Sequence, residues 1–203
     1  MRLGGKAWRD QGVRRRGCER GPVRVVLDIT GGTVREIRSY VGGKWKNSSA
    51  SVTDLGVVPA REAAGYLISL AGGLAAKPGE KAIFPAMLAD SAEVWPGLIR
   101  LARDPNVPTQ TRRQSVFWVS QAAGEAATKG LNDIVTDNSV DRAVREQAVF
   151  ALSQRPKEQG IPALIAVART NRDPEIRRKA MFWLGQSNDP RAIALFEEIL
   201  GKQ

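Results

Sequence analysis

The 203-residue sequence contains no histidine and only one cysteine, Cys18. Without imidazole there is no Ser-His-Asp or Cys-His nucleophile system, no histidine zinc site and no 2-His-1-carboxylate iron centre. A lone cysteine excludes an internal disulfide, a Cys-x-x-Cys redox pair and a cysteine-only zinc site. Long apolar runs are also missing, which argues against membrane insertion, and residues 1 to 22 lack the apolar stretch of a secretory signal. As written, the chain is expected in the cytoplasm. No paired acids stand out, so the expectation is a non-catalytic protein with no cofactor and no metal.

What the chain does have is positive charge, with 31 Lys+Arg against 21 Asp+Glu, a net +10. Its distribution matters more than its total. Residues 1–57 carry +7 and residues 58–203 only +3. Seven basic residues, including Arg14, Arg15 and Arg16, fall in the first 20. Residues 1–21 are basic, Gly-rich and aperiodic, and read as a solvated, disordered tail; the alternative is an arm, residues 1–20, that binds nucleic acid.

Residues 22–58 read as a β-hairpin unit. Val23 to Ile29 and Thr33 to Val41 are β-rich and joined across Gly31-Gly32, the pair that a tight primed turn requires. Val52 to Val58 is a candidate third strand. From Pro59 the period changes to 3.6, with Ala64, Leu67, Leu70 and Ala71 on one helical stripe.

Residues 59–203 repeat. Thr111 to Gln121, Val144 to Gln154 and Ile176 to Gln186 align at offsets of 33 and 32 residues, and Trp95 to Arg103 aligns with Ile161 to Arg169. Four helix pairs follow, roughly 80–103, 109–136, 141–169 and 174–200. A fixed period of two-helix units specifies an α-solenoid, in which each unit buries its apolar stripe only by stacking on its neighbours. The fold class is therefore mainly α: a solenoid of about four helix pairs behind a small N-terminal hairpin.

Within the unit, Ala180, Trp183 and Leu184 share a core face with Ile176, and the small Ser115, Ala148 and Ala180 admit a close partner helix. Phe117, Phe150 and Phe182 lie off that stripe and are expected to form a ladder between successive first helices. Gln121, Gln154 and Gln186 end those helices and are expected to satisfy loop carbonyls. Trp118 and Trp183 share a position that is Ala151 in the unit between, which fits core filling of unequal volume.

The run Asp173-Pro174-Glu175-Ile176-Arg177-Arg178-Lys179-Ala180, with Trp183-Leu184-Gly185 and Asp189-Pro190-Arg191-Ala192, resembles the short bacterial HEAT repeat of the phycobilisome-lyase type. The resemblance covers about residues 80–200. It implies an Asp-Arg ladder, for which Asp141 with Arg145 and Asp173 with Arg177 are spaced at i,i+4; Pro108 stands in the Asp position before Arg112. It also implies two functions. One is a protein-interaction scaffold presenting the second helices, residues about 126–136, 160–169 and 190–200, to another protein, with Trp95, Arg100, Arg103, Arg169 and Arg172 as candidate contacts. The alternative, by likeness to HEAT-like DNA glycosylases, is nucleic-acid binding through the basic arm and tryptophans. Acidic Asp133, Glu197 and Glu198 weigh against that groove. Residues 21–27, 39–45, 54–56 and 60–64 further resemble a region preceding HEAT repeats in exported bacterial proteins, which implies an upstream start and a periplasmic or secreted product.

Overall fold

The computed structural model describes residues 23–41, 52–89, 92–122 and 124–201. The tail at residues 1–21 lies outside the described residues.

Strands β1 (Val23–Thr30) and β2 (Thr33–Val41) pair antiparallel, Val23 opposite Val41 and Leu27 opposite Ile37. The register shifts between Asp28 and Ile29, so that Ile29 faces Val34. Gly31 and Gly32 turn the chain at φ 57° and 73°. Both dihedrals are left-handed, the primed geometry that matches the twist of the flanking strands and that costs a glycine nothing. A two-stranded ribbon needs support, and β2 finds it by laying the buried Val34 and Ile37 against the helical region at α2 (Ala76–Met87). Glu36 adds an exposed 3.1 Å ion pair to Lys81.

The candidate third strand is not formed. Gly56 takes φ 73° and donates its N–H to Asp54 Oδ1 at 2.8 Å. That local turn interrupts the extended run and leaves Leu55 and Val57 exposed.

Nine helices occur among the described residues: α1 (Ala60–Gly73), α2, α3 (Trp95–Arg103), α4 (Thr109–Gln121), α5 (Glu125–Thr136), α6 (Arg142–Ser153), α7 (Lys157–Thr170), α8 (Pro174–Gln186) and α9 (Pro190–Leu200). They stack in two rows. The first helices α2, α4, α6 and α8 pack in succession, as do the second helices α1, α3, α5, α7 and α9. α3, α5 and α7 each pack more extensively on the first helix of the following unit than on that of their own, α5 on α6 and α7 on α8. α1 thereby joins the second-helix row as a leading half-unit.

Close packing explains the small residues. Ser115, Ala148 and Ala180 are fully buried on the first helices. Gly160 sits where an added methyl would overlap the Leu152 carbonyl oxygen, so α6 and α7 meet backbone to backbone there. Helix starts are set by local chemistry. Asp173 and Asp189 accept the N–H of Glu175 and Arg191, each at 3.0 Å, and Pro174 and Pro190 occupy the first helical position.

Candidate partner-binding surface

The charged ladder runs between units. Arg112, almost fully buried, pairs with Asp141, and Arg145 with Asp173 at 3.0 Å; Arg142 joins the same Asp173 oxygen at 3.2 Å. The i,i+4 pairings of Asp141 with Arg145 and Asp173 with Arg177 are not made. Asp173 already accepts the Glu175 N–H on one oxygen and the two preceding-unit arginines on the other, while the guanidinium of Arg177 is intercepted by the carbonyls of Asn171 (2.8 Å) and Arg172 (3.3 Å). Pro108 consequently deprives Arg112 of nothing, because its carboxylate comes from the next unit. Burial opposes ionisation of Asp173, yet the Glu175 N–H and the two arginines outweigh it and hold the carboxyl below its ordinary pKa.

The glutamines behave differently from expectation. Gln121, Gln154 and Gln186 are exposed, and Gln121 and Gln154 donate to the neighbouring hydroxyls of Ser120 (3.0 Å) and Ser153 (3.1 Å) rather than to loop carbonyls. Arg155 does that work. Buried between units, it donates to the carbonyls of Ser120 (3.1 Å), Ala122 and Gly124 (2.8 Å), and to Thr128 Oγ1 (2.9 Å) and Gln159 Oε1 (3.1 Å).

The phenylalanines form two ring triplets instead of one ladder. Trp118 lies 5.8 Å from Phe84 and 5.3 Å from Phe117, and Trp183 lies 5.1 Å from Phe150 and 5.0 Å from Phe182. Ala151 supplies no ring at the position between, so among the described residues Phe117 makes no ring pair with the following first helix. Each indole is half-buried between two phenylalanine rings, with its Nε1 enclosed and unbonded.

Of the five candidate contact residues, Arg103 at the end of α3 is tied to Asp137 at 2.6 Å, and Arg169 at the end of α7 to Glu198 at 2.5 Å. Ser139, through its hydroxyl and N–H, and then Arg103 lower the pKa of Asp137 against the effect of burial. Arg100 and Arg172 are exposed and make no ion pair among the described residues, and Trp95 is half-buried. Arg172 lines an open recess of about 380 Å³ with Thr136, Asn138, Thr170 and Asn171. A second depression, which no pattern in the sequence marks, is an open groove of about 320 Å³ between α5 and α7, lined by Glu125, Thr128, Lys129, Asn132, Glu158, Gln159, Ala163 and Ala166. Its positions are polar or small in both helices, a signal that solvated helix faces share.

Residues 130–203 match the family model of HEAT repeats. Residues 130–203 are a HEAT-repeat segment. The ladder from Arg145 to Asp173 and the triplet around Trp183 fall inside the matched HEAT segment, and the pair of Arg112 with Asp141 carries the same construction back to α4. A comparison with the curated proteins finds no match. Among the described residues no helix is long and apolar enough to cross a membrane, and no three His, Cys, Asp or Glu side chains gather as for a metal ion.

Asp189 provides a pH dependence. The Arg191 side chain, followed by its N–H, outweighs burial and lowers the carboxyl from 3.8 to about 2. A depressed carboxylate stabilises above its unfolded pKa and loses that contribution as the folded group protonates. Stability of α9 is therefore expected to fall from about pH 4 to about pH 2. Amide exchange across residues 190–200 should record this, and Asp189→Asn should flatten it.

Proposed function

We propose that the protein is a scaffold whose second-helix row binds another protein. HEAT repeats commonly mediate protein–protein interaction. The observation that carries the reading is the charge of that row: α1, α3, α5, α7 and α9 together hold seven basic and six acidic residues, with the α5–α7 groove among them. A surface that tracks a phosphate backbone needs clear positive excess. A balanced, grooved one suits a polypeptide with both signs of charge and apolar contacts between them. Arg100 and Arg172, exposed and without an ion pair among the described residues, are the side chains most ready to meet a partner's carboxylates.

A photo-crosslinking residue placed at Lys129, in the groove, and separately at Arg178, on the first-helix row, tests this in the source cells. A discrete protein adduct is expected at 129 and not at 178, reduced by Arg172→Glu. Adducts with nucleic acid alone, or no adduct at either position, would overturn the reading.

A further inference from the structure

At α8 and α9, three contacts that the earlier units make are not made among the described residues. From α6 to α8 the repeat offset is 32 residues, Val144 to Ile176. The same offset places Ile161, Leu164, Val167 and Ala168 of α7 on Ile193, Phe196, Ile199 and Leu200 of α9. The four α7 side chains are buried, on a helix packed extensively against α8. On α9 the residues stay apolar, but Ile193, Ile199 and Leu200 are 55%, 38% and 69% exposed, and no described helix follows. Isolated apolar residues on a surface need no explanation; an apolar stripe at the same register as a buried interface does.

The first helix tells the same story. Arg112 reaches Asp141 and Arg145 reaches Asp173, whereas Arg177, third in the series, makes no ion pair among the described residues and rests on two carbonyls. Phe84 and Phe150 each pack on a tryptophan of the following first helix, while among the described residues Phe182, 53% exposed, pairs its ring with Trp183 of its own helix alone.

We propose that the α8–α9 end binds an amphipathic helix of a partner protein, preceded by an aspartate that meets Arg177 and presenting an apolar stripe to α9. Charge complementarity and continuity with the unit-to-unit interfaces define this occupant. A second copy of the chain does not offer it: α6 and α8, the first helices preceded by Asp, are engaged within the stack, α4 follows Pro108, α2 follows Ala75 and lies under β2, and α9, though preceded by Asp189, has both oxygens of that carboxylate held by the Arg191 guanidinium. The inference is independent of the α5–α7 groove.

The probe is a fluorescein-labelled synthetic peptide of residues 171–187, whose Asp173 and apolar stripe seat the same way one unit earlier. Titrated with the full-length protein, it is expected to bind saturably. Asp173→Ala in the peptide should weaken binding about fivefold or more, and that difference should vanish on the Arg177→Ala protein. Leu200→Glu should abolish binding without changing the melting temperature, and Lys129→Glu should leave it intact. Absence of saturable binding, binding insensitive to Leu200→Glu and Ile193→Glu, or a dimer of the protein alone that Leu200→Glu dissociates would each overturn the proposal.

Discussion

Arg155→Ala is expected to destabilise the protein by about 3–5 kcal/mol, among the largest effects of any single truncation here. Arg155 is buried, and all its partners are neutral: three main-chain carbonyls, a hydroxyl and a side-chain amide. Desolvation lowers its pKa, and no carboxylate opposes that shift. The bonds persist because of what they satisfy. Ser120, Ala122 and Gly124 stand at and just after the end of α4, where carbonyls have no intrahelical donor. One guanidinium from the α6–α7 connection thus closes the α4–α5 connection and locks two units together. Truncation would leave those acceptors in a space that water fills poorly. Arg155→Lys should recover less than half of the loss, since a single ammonium does not span acceptors arranged around a planar fork. Urea denaturation measures both variants; a midpoint unchanged in Arg155→Ala would show that the connection is held by something else. Amide exchange at residues 120–125 should accelerate before the rest of the molecule.

Much of this architecture was legible in the sequence because a repeat writes the same physical constraint several times. The 3.6-residue apolar period, the offsets of 33 and 32 and the Asp-Pro helix starts all act over a few residues, and they located the helices and the hairpin. Contacts between units were less legible. Spacing at i,i+4 made Asp173 with Arg177 plausible, but the pairing depends on where Arg145 of the neighbouring unit reaches, which no local pattern encodes. The glutamines recur at one position in three units and looked structural, yet they are solvent-facing, and the residue that bonds the loop carbonyls does not recur at all: Ala122, Arg155 and Ser187 occupy equivalent places. Periodicity reveals what every unit needs and hides what one junction needs. The α5–α7 groove was hidden for a related reason, since polar and small side chains there are ordinary for a solvated helix face.

Ala180→Asp should have a still larger and more local effect. Ala180 is fully buried on α8 in the row of Ser115 and Ala148. A carboxylate there would lose its hydration with no cation placed to meet it, at a cost of about 4 kcal/mol or more. A linear stack distributes that cost unevenly, because each unit is stabilised by its neighbours alone. The expected result is loss of α8 and α9 with α1 to α7 retained: a partial fall in helicity and an early second transition in urea, rather than one shifted transition. Ala180→Ser separates charge from volume. Ser115 already occupies the equivalent place, where its hydroxyl donates to the Thr111 carbonyl at 2.9 Å. Serine at 180 has the Ile176 carbonyl at the same i−4 position and should leave the C-terminal unit folded. Full helicity and an unshifted melt in Ala180→Asp would mean that α8 turns a different face to the core; early melting of Ala180→Ser as well would mean that the interface at 180 is tighter than the one at 115.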